Sequence, residues 1–157
     1  MIFFSKKIKI YAPLSGKSLP ITEVNDPVFS QKMMGDGIAI EPSDSLVVAP
    51  VDGIISVIAA TKHAIGITMN NGIELIIHCG LETVSAHGEG FEVMISEGQP
   101  VTVGTPLLRF DMEYFRTKGI SLITPLVISD LAGYRITEYG FGSNILAGKT
   151  VILVLSK

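Results

Sequence analysis

Two histidines flank a turn signal near the middle of the chain. His63 precedes and His78 follows Asn70-Asn71-Gly72, a tripeptide typical of a tight β-hairpin. A loop of Asn70-Asn71 would place His63 directly opposite His78, whereas a loop of Asn71-Gly72 would make them diagonal neighbours. Their Cβ atoms would be about 5 Å apart in the first register and roughly 7–8 Å apart in the second. Both registers predict two imidazoles on one face, within reach of a shared small group.

The alternation of side chains along the two strands predicts what else lies on each face. We expect the histidine face to carry Ile65, Ile67, Met69, Glu74 and Ile76. We expect the opposite face to belong to the core and to carry Ala64, Gly66, Thr68, Ile73, Leu75, Ile77 and Cys79. Apolar residues around two polar rings are what a surface that docks another protein would present.

A pair of imidazoles can carry and stabilise a phosphoryl group. A neutral imidazole is nucleophilic near neutral pH and can form a labile phosphoramidate. Phosphoryl transfer depends on in-line positioning and on donors for the equatorial oxygens. The second histidine can be such a donor if another group fixes its tautomer, and Thr61, two residues before His63, is placed to do so. Two alternatives stay open: a purely structural pair, and a zinc site shared by His63 and His78.

Other residues with reactive side chains are interpreted as structural. Cys79 adjoins His78 but should point to the opposite face of its strand, which predicts a buried, unreactive thiol. His87 lies in a glycine-flanked turn and is expected to be solvated. Gly35-Asp36-Gly37 is not followed by the Gly-Lys-Ser/Thr of a phosphate-binding loop, so a structural turn is favoured.

Short runs of β-branched residues between turn signals position these side chains. The predicted strands are Ile8–Tyr11, Gly37–Ile40, Leu46–Ala49, Gly53–Ala59, Ile65–Met69, Ile73–Cys79, Phe91–Ile95, Pro106–Phe110, Leu122–Ile128 and Thr150–Leu155. One helix is predicted over Asp111–Lys118, with Asp111 as N-cap, and a shorter one over Pro27–Lys32. The pattern predicts an all-β protein: an antiparallel, barrel-like β-sandwich with one or two short helices.

Composition narrows the class of protein. The 157 residues suit a single domain, and 47% of them are hydrophobic. The net charge of −3 argues against nucleic acid as a partner. A single cysteine suits a reducing cytosol. The N-terminal Met1–Lys7 has no secretory signal and no apolar run is long enough to span a membrane, so we expect a cytoplasmic location.

Seven segments in a fixed order resemble one bacterial protein family. They are Ala12–Gly16, Gly35–Ile40, Ala49–Gly53, Thr61–Ala64, Ile77–Gly80, Gly88–Phe91 and Thr124–Ser129. At these residues the chain resembles the glucose-type enzyme IIA domain of the phosphoenolpyruvate-dependent sugar phosphotransferase system. The resemblance covers nearly the whole chain and implies that residues 1–157 form one IIA domain with an antiparallel β-sandwich fold.

The resemblance also implies roles for particular residues. His78 would be phosphorylated, His63 would stabilise the phosphate, and Thr61 would orient His63. The donor would be the histidine-containing phosphocarrier protein and the acceptor a cysteine of a sugar-specific IIB domain, which brings the protein transiently to the inner face of the membrane. Regulated transporters or kinases are further partners that the family permits. The implied partner-binding residues are Asp26, Val28, Phe29, Met33, Met34, Ile76, Glu82 and Val84.

Rival functions find less support in the residues. A zinc peptidase built on His63, His78 and His87 would usually show a His-x-His pair and a His-x-x-x-Asp element, and both are missing, with Ile67 where the aspartate would stand. Residues 96–107 resemble part of a lipoyl or biotinyl carrier, but no lysine occupies a hairpin tip. We therefore expect a phosphotransferase component with a phosphohistidine intermediate and no cofactor, zinc being possible but not required.

Overall fold

The computed structural model of the protein describes residues 6–157, which form fourteen strands and two short α-helices. Residues 1–5 lie outside the described residues. They make up most of the segment Met1–Lys7, for which we predicted no secretory signal. The strands are β1 (Lys7–Tyr11), β2 (Gly16–Pro20), β3 (Gly37–Pro42), β4 (Leu46–Val48), β5 (Gly53–Ile58), β6 (Ala64–Thr68), β7 (Glu74–His78), β8 (Phe91–Val93), β9 (Pro100–Val101), β10 (Pro106–Phe110), β11 (Thr124–Asp130), β12 (Arg135–Tyr139), β13 (Gly142–Ile145) and β14 (Val151–Ser156). The helices are α1 (Pro27–Ser30) and α2 (Met112–Thr117). Two 3₁₀ turns cover Ile21–Glu23 and Thr83–Ala86.

The strands form one large antiparallel sheet and two small ones. The large sheet has the order β13-β2-β3-β11-β7-β6-β5-β9, and the small sheets have the orders β1-β14-β12 and β4-β10-β8. One hydrophobic cluster joins the three sheets, so the predicted antiparallel β-sandwich is confirmed. In the part of the chain that is described, no helix is long and apolar enough to cross a membrane.

All ten predicted strands and both predicted helices are present, with boundaries that differ from the prediction by at most two residues. Asp111 caps α2, since its carboxylate accepts a hydrogen bond from the backbone N–H of Tyr114 at 3.0 Å. Four strands were not predicted: β2, β9, β12 and β13. Strands β12 and β13 consist mostly of exposed or half-buried residues, so they carry little of the apolar alternation that marks a strand.

The hairpin of β6 and β7 has a register that the sequence did not predict. Its loop is the whole tripeptide Asn70-Asn71-Gly72, closed by a 2.8 Å hydrogen bond from Met69 N to Ile73 O. His78 consequently lies opposite Ala64, and both predicted registers are wrong. A shift of one residue moves every side chain of a strand to the other face.

The faces predicted for β6 are therefore inverted. Ile65 and Ile67 are buried in the core, whereas Ala64, Gly66 and Thr68 lie on the face that carries His78. The prediction for β7 was correct, because Ile73, Leu75, Ile77 and Cys79 are all buried in the core. The histidine thus lies on the outer face of the large sheet.

A second, smaller hydrophobic cluster covers part of that outer face. It contains Ala39 and Val127 from the sheet, with Ile21, Val24, Phe29 and Leu81 packed above them. Phe29 comes from α1, whose N-cap is Asp26 and whose first residue is a proline, a pairing that favours a helix start. This cluster holds α1 against the sheet beside His78.

Candidate functional site

His78 ends strand β7 on the outer face of the large sheet, partly buried between two other rings. The ring of Phe29 lies 5.0 Å away on one side, and the ring of His63 lies 4.8 Å away, both at steep interplanar angles. The structure thus brings together the two histidines that the sequence paired. Their proximity was predicted correctly, although it was derived from a wrong register.

A turn, and not strand alternation, brings His63 to this position. His63 lies just before β6, and its carbonyl accepts a 2.6 Å hydrogen bond from Cys79 N. In a regular strand this register would direct His63 toward the core, as it does Cys79. Lys62 instead adopts a left-handed conformation with φ of 64°, which reorients the chain before the histidine. The sequence offers no signal for this, because a lysine rarely adopts positive φ.

The two ring nitrogens of His78 have different surroundings. Nδ1 lies 2.8 Å from the carbonyl oxygen of Gly80. A carbonyl can only accept a hydrogen bond, so Nδ1 carries the proton and Nε2 of the neutral ring keeps its lone pair. Gly80, with φ of 83°, allows the chain to turn back so that its carbonyl meets the ring two residues earlier.

His63 has a partner of its own at Nδ1. The hydroxyl of Thr61 lies 2.6 Å from that nitrogen, as the sequence led us to expect. If the hydroxyl donates, Nε2 of His63 carries the ring proton and can donate to a third group. The pair therefore offers a nucleophilic nitrogen and a ring able to supply a hydrogen-bond donor.

Burial favours the neutral form of both rings. It lowers the pKa of His78 below the usual 6.5, while the Gly80 hydrogen bond and the charge of Asp26 act in the opposite direction. Burial also lowers the pKa of His63, with a further contribution from the positive charge of His78. A neutral imidazole is the form that acts as a nucleophile.

The neighbouring thiol contributes no chemistry of its own. Cys79 is completely buried, and desolvation raises its pKa to about 12. This confirms the prediction of an unreactive core cysteine. His87 is exposed at the end of the 3₁₀ turn Thr83–Ala86, as predicted.

The residues expected to bind partners differ in exposure, and all but Phe29 fall into three groups. Val28, Met33 and Val84 are exposed, with 69% of the Met33 surface accessible. Met34 and Ile76 are half-buried against the second cluster, and Asp26 and Glu82 supply carboxylates. We call these seven residues the docking surface. Phe29, only 3% exposed, lies beneath it and supports His78, so it is placed to shape the surface and not to contact a partner directly.

Among residues 6–157, no three His, Cys, Asp or Glu side chains are grouped closely enough to hold a metal ion. His63 and His78 would supply two ligands. Zinc in proteins takes four, so a zinc ion shared by the pair would need ligands from elsewhere.

Comparison with known proteins supports the resemblance at every level. Residues 8–134 match the family model described as "phosphoenolpyruvate-dependent sugar phosphotransferase system, EIIA 1". The chain is 49% identical to the PTS system glucose-specific EIIA component of Staphylococcus aureus over 125 residues, which are 80% of this chain and 75% of that protein. It is 46% identical over 145 residues to part of the glucose-specific EIICBA component of Staphylococcus carnosus, covering 92% of this chain and 21% of that one. The solved structure of glucose permease IIA from Mycoplasma capricolum superimposes with a TM-score of 0.90 at 34% identity, over 98% of this chain and 99% of the other.

Proposed function

This chain belongs to the EIIA family of the phosphoenolpyruvate-dependent sugar phosphotransferase system, and from that membership we propose that it carries the phosphoryl group on Nε2 of His78. The protein is a phosphocarrier of the sugar phosphotransferase system. The donor is the histidine-containing phosphocarrier protein, and the acceptor is the cysteine of a sugar-specific IIB domain. Uptake and phosphorylation of the sugar follow from that second transfer.

The observation that carries this proposal is the 2.8 Å hydrogen bond from Nδ1 of His78 to the carbonyl of Gly80. It leaves the lone pair on Nε2, the ring nitrogen directed away from the backbone. A nucleophile needs a general base only if it must lose a proton before it attacks. In the tautomer with the proton on Nδ1, Nε2 carries no proton. The site therefore needs no general base.

The transfer balances without net movement of a proton. The Nε2 lone pair attacks phosphorus on the donor, a new P–N bond forms, and the bond to the donor imidazole breaks with its electron pair returning to that ring. The phosphorylated His78 ring keeps its Nδ1 proton and gains positive charge, so its bond to Gly80 becomes charge-assisted and stronger. In the second step a cysteine thiolate attacks phosphorus and the electron pair returns to Nε2.

His63 would stabilise the phosphoryl group during both steps. With the Thr61 hydroxyl donating to Nδ1 of His63, the proton on Nε2 is available to an equatorial phosphoryl oxygen. Phosphoryl transfer is accelerated mainly by such positioned donors. In this assignment Thr61 orients His63. His63 donates a hydrogen bond to the phosphoryl group and does not itself become phosphorylated.

The docking surface would serve both partners in turn. Apolar side chains such as Val28, Met33 and Val84 supply contact area, and Met side chains adapt to different partners. The carboxylates of Asp26 and Glu82 would attract a basic donor and set its orientation. The S. carnosus relative is named as an EIICBA component, which supports IIB and IIC as the cognate membrane partners. We place this exchange at the cytoplasmic face of the membrane and without a resident cofactor.

The test is phosphorylation in a reconstituted system. The purified protein is incubated with phosphoenolpyruvate, enzyme I and the histidine phosphocarrier, and the intact mass is read in wild type, His78→Ala and His87→Ala. We expect one acid-labile phosphoryl group in wild type and in His87→Ala, and none in His78→Ala. His87 is the matched control because it is the exposed histidine outside the pair. His63→Gln should still accept phosphate but should transfer it to a IIB domain slowly or not at all.

The proposal is wrong if wild type takes up no phosphate or if His78→Ala is labelled as well as wild type. Labelling of His63 in the wild-type protein would reverse the roles of the two histidines.

A further inference from the structure

Thr83 is a buried polar residue that the proposed transfer does not use. It opens the 3₁₀ turn Thr83–Ala86, five residues after His78, and its side chain is completely inaccessible to solvent. Its hydroxyl donates a 2.6 Å hydrogen bond to the carbonyl of Cys79. A buried hydroxyl is costly unless it has a partner, so this bond is an obligatory part of the loop.

The loop that Thr83 closes contains the carbonyl that holds His78. The peptide group between Cys79 and Gly80 is fixed by Thr83 at its carbonyl. The next peptide group is fixed at both ends: the Gly80 carbonyl accepts from Nδ1 of His78, and Leu81 N donates to the carbonyl of Ser121 at 3.0 Å. Two consecutive peptide planes are thus held by three hydrogen bonds.

The loop has little space in which to relax. A Cβ atom added to Gly80 would lie 2.8 Å from the Ser121 carbonyl oxygen and would also overlap the methyl group of Thr83. The Thr83 side chain and the Ser121 backbone therefore both crowd the position that a Cβ atom would take on Gly80. This crowding and the three hydrogen bonds together restrict the direction of the Gly80 carbonyl.

We propose that Thr83 is a positioning residue for His78: through the Cys79 carbonyl it fixes the Gly80 carbonyl on Nδ1 and so keeps Nε2 as the reactive nitrogen. This inference rests on the proposed function and refines it. A neutral imidazole exists as two tautomers, and only the form with the proton on Nδ1 has a lone pair on Nε2. The partner of one ring nitrogen therefore determines whether the other can attack phosphorus.

The size of the effect follows from the strength of one hydrogen bond. If the Gly80 carbonyl moves, the Nδ1–H tautomer loses its partner and the Nε2–H tautomer becomes populated. Weakening one such bond corresponds to about a threefold to tenfold change in the tautomer ratio. The rate of phosphoryl acceptance should fall with the population of the competent tautomer.

The test compares variants that differ at the hydroxyl. Thr83→Val keeps the volume and removes the hydroxyl, Thr83→Ala removes hydroxyl and methyl, and Thr83→Ser keeps the hydroxyl. Nitrogen-15 NMR of the His78 ring reads the tautomer directly, and mass spectrometry reads the rate of phosphorylation. We expect Thr83→Val and Thr83→Ala to lower the ratio of the Nδ1–H tautomer to the Nε2–H tautomer by about threefold to tenfold. The rate of phosphorylation should fall in proportion to the remaining population of the Nδ1–H tautomer. Thr83→Ser should remain within about twofold of wild type.

A matched control separates positioning from stability. Ser18 is also buried and donates a 2.6 Å hydrogen bond to a backbone carbonyl, that of Gly140. It lies in β2, which is separated from β7 by β3 and β11. Ser18→Ala should destabilise the protein without changing the His78 tautomer or the phosphorylation rate.

Equal tautomer ratios in Thr83→Val, Thr83→Ala and Ser18→Ala would overturn the inference and leave Thr83 a structural residue. If only one of the two hydroxyl-free variants folds, that one decides the result. The outcome is independent of the proposed function, because the tautomer is read in the unphosphorylated protein even if wild type accepts no phosphate.

Discussion

At the scale of single residues, the chemistry of His78 depends on which nitrogen holds the proton and on whether a second proton is bound. The first is set by the Gly80 carbonyl at 2.8 Å. The second is set by burial, which lowers the pKa values of both His78 and His63. Both conditions favour a lone pair on Nε2 of His78.

The lowered pKa values predict a specific dependence of stability on pH. An unfolded chain protonates its histidines near pH 6.5, while folded His63 and His78 take up protons only at lower pH. At pH values between the folded and the unfolded pKa values, the unfolded state binds more protons than the folded state. The free energy of unfolding should therefore fall as the pH decreases below about 6.5, and this contribution should level off below the folded pKa values.

Urea denaturation across this range, together with an NMR titration of the rings, measures the effect. In the double variant His63→Gln/His78→Asn the slope between pH 5 and 6.5 should be smaller than in wild type, by roughly the contribution of two histidines. An unchanged slope, or rings that titrate at or above 6.5, would contradict the prediction.

At the scale of secondary-structure elements, the short helix α1 connects the docking surface to the histidine. Asp26 accepts a 3.0 Å hydrogen bond from Val28 N at the start of the helix, and its charge also raises the pKa of His78. Phe29, one residue further, packs edge-on against the histidine ring. The carboxylate of Asp26 thus both caps the helix and raises the pKa of the His78 ring.

The two actions of Asp26 can be separated by substitution. Asn is as good an N-cap as Asp, so Asp26→Asn should leave stability nearly unchanged while lowering the pKa of His78 further. Asp26→Ala removes charge and cap together and should also cost about 1 kcal/mol of stability. Thermal unfolding and the NMR titration of His78 distinguish the cases. Equal stability of the two variants would show that the cap is unimportant.

The hairpin shows how far the sequence determines these elements. Asn70-Asn71-Gly72 predicts a turn, and the apolar runs on both sides predict its strands, because both signals are local. The register is not local: a three-residue loop and two-residue loops fit the same tripeptide, and only packing of Ile65 and Ile67 in the core selects one. Lys62, whose positive φ reorients His63, gives no sequence signal at all. The exposed strands β12 and β13 were not predicted because their own sequences lack the alternation of a strand. They are stabilised by pairing with β14 and β2.

At the scale of the whole molecule, the sheets are held by one hydrophobic cluster and by close backbone contacts between strands. Gly37, at the start of β3, lies directly against β11, and a Cβ atom there would overlap the carbonyl of Leu126 and lie 2.8 Å from Cα of Val127. Strand β11 in turn pairs with β7, which carries His78. The position of β7, the strand that carries His78, thus depends on a close contact between β3 and β11 that only glycine permits.

Gly37→Ala should therefore destabilise the protein by about 1–3 kcal/mol, as expected for overpacking against an immovable backbone. Gly142→Ala is the matched control, since it also begins a strand and its nearest contact would be an ordinary 3.8 Å. Its effect on stability should be close to zero. Chemical denaturation of both variants measures the difference, and similar stabilities would show that β3 and β11 can separate without cost.

The buried state of Cys79 has a practical consequence. The chain contains one cysteine, and its thiol is both inaccessible and protonated at physiological pH. Thiol-directed reagents therefore find no native target in the folded protein. A cysteine introduced at an exposed position such as Met33 becomes the single site of labelling, and no native thiol has to be mutated.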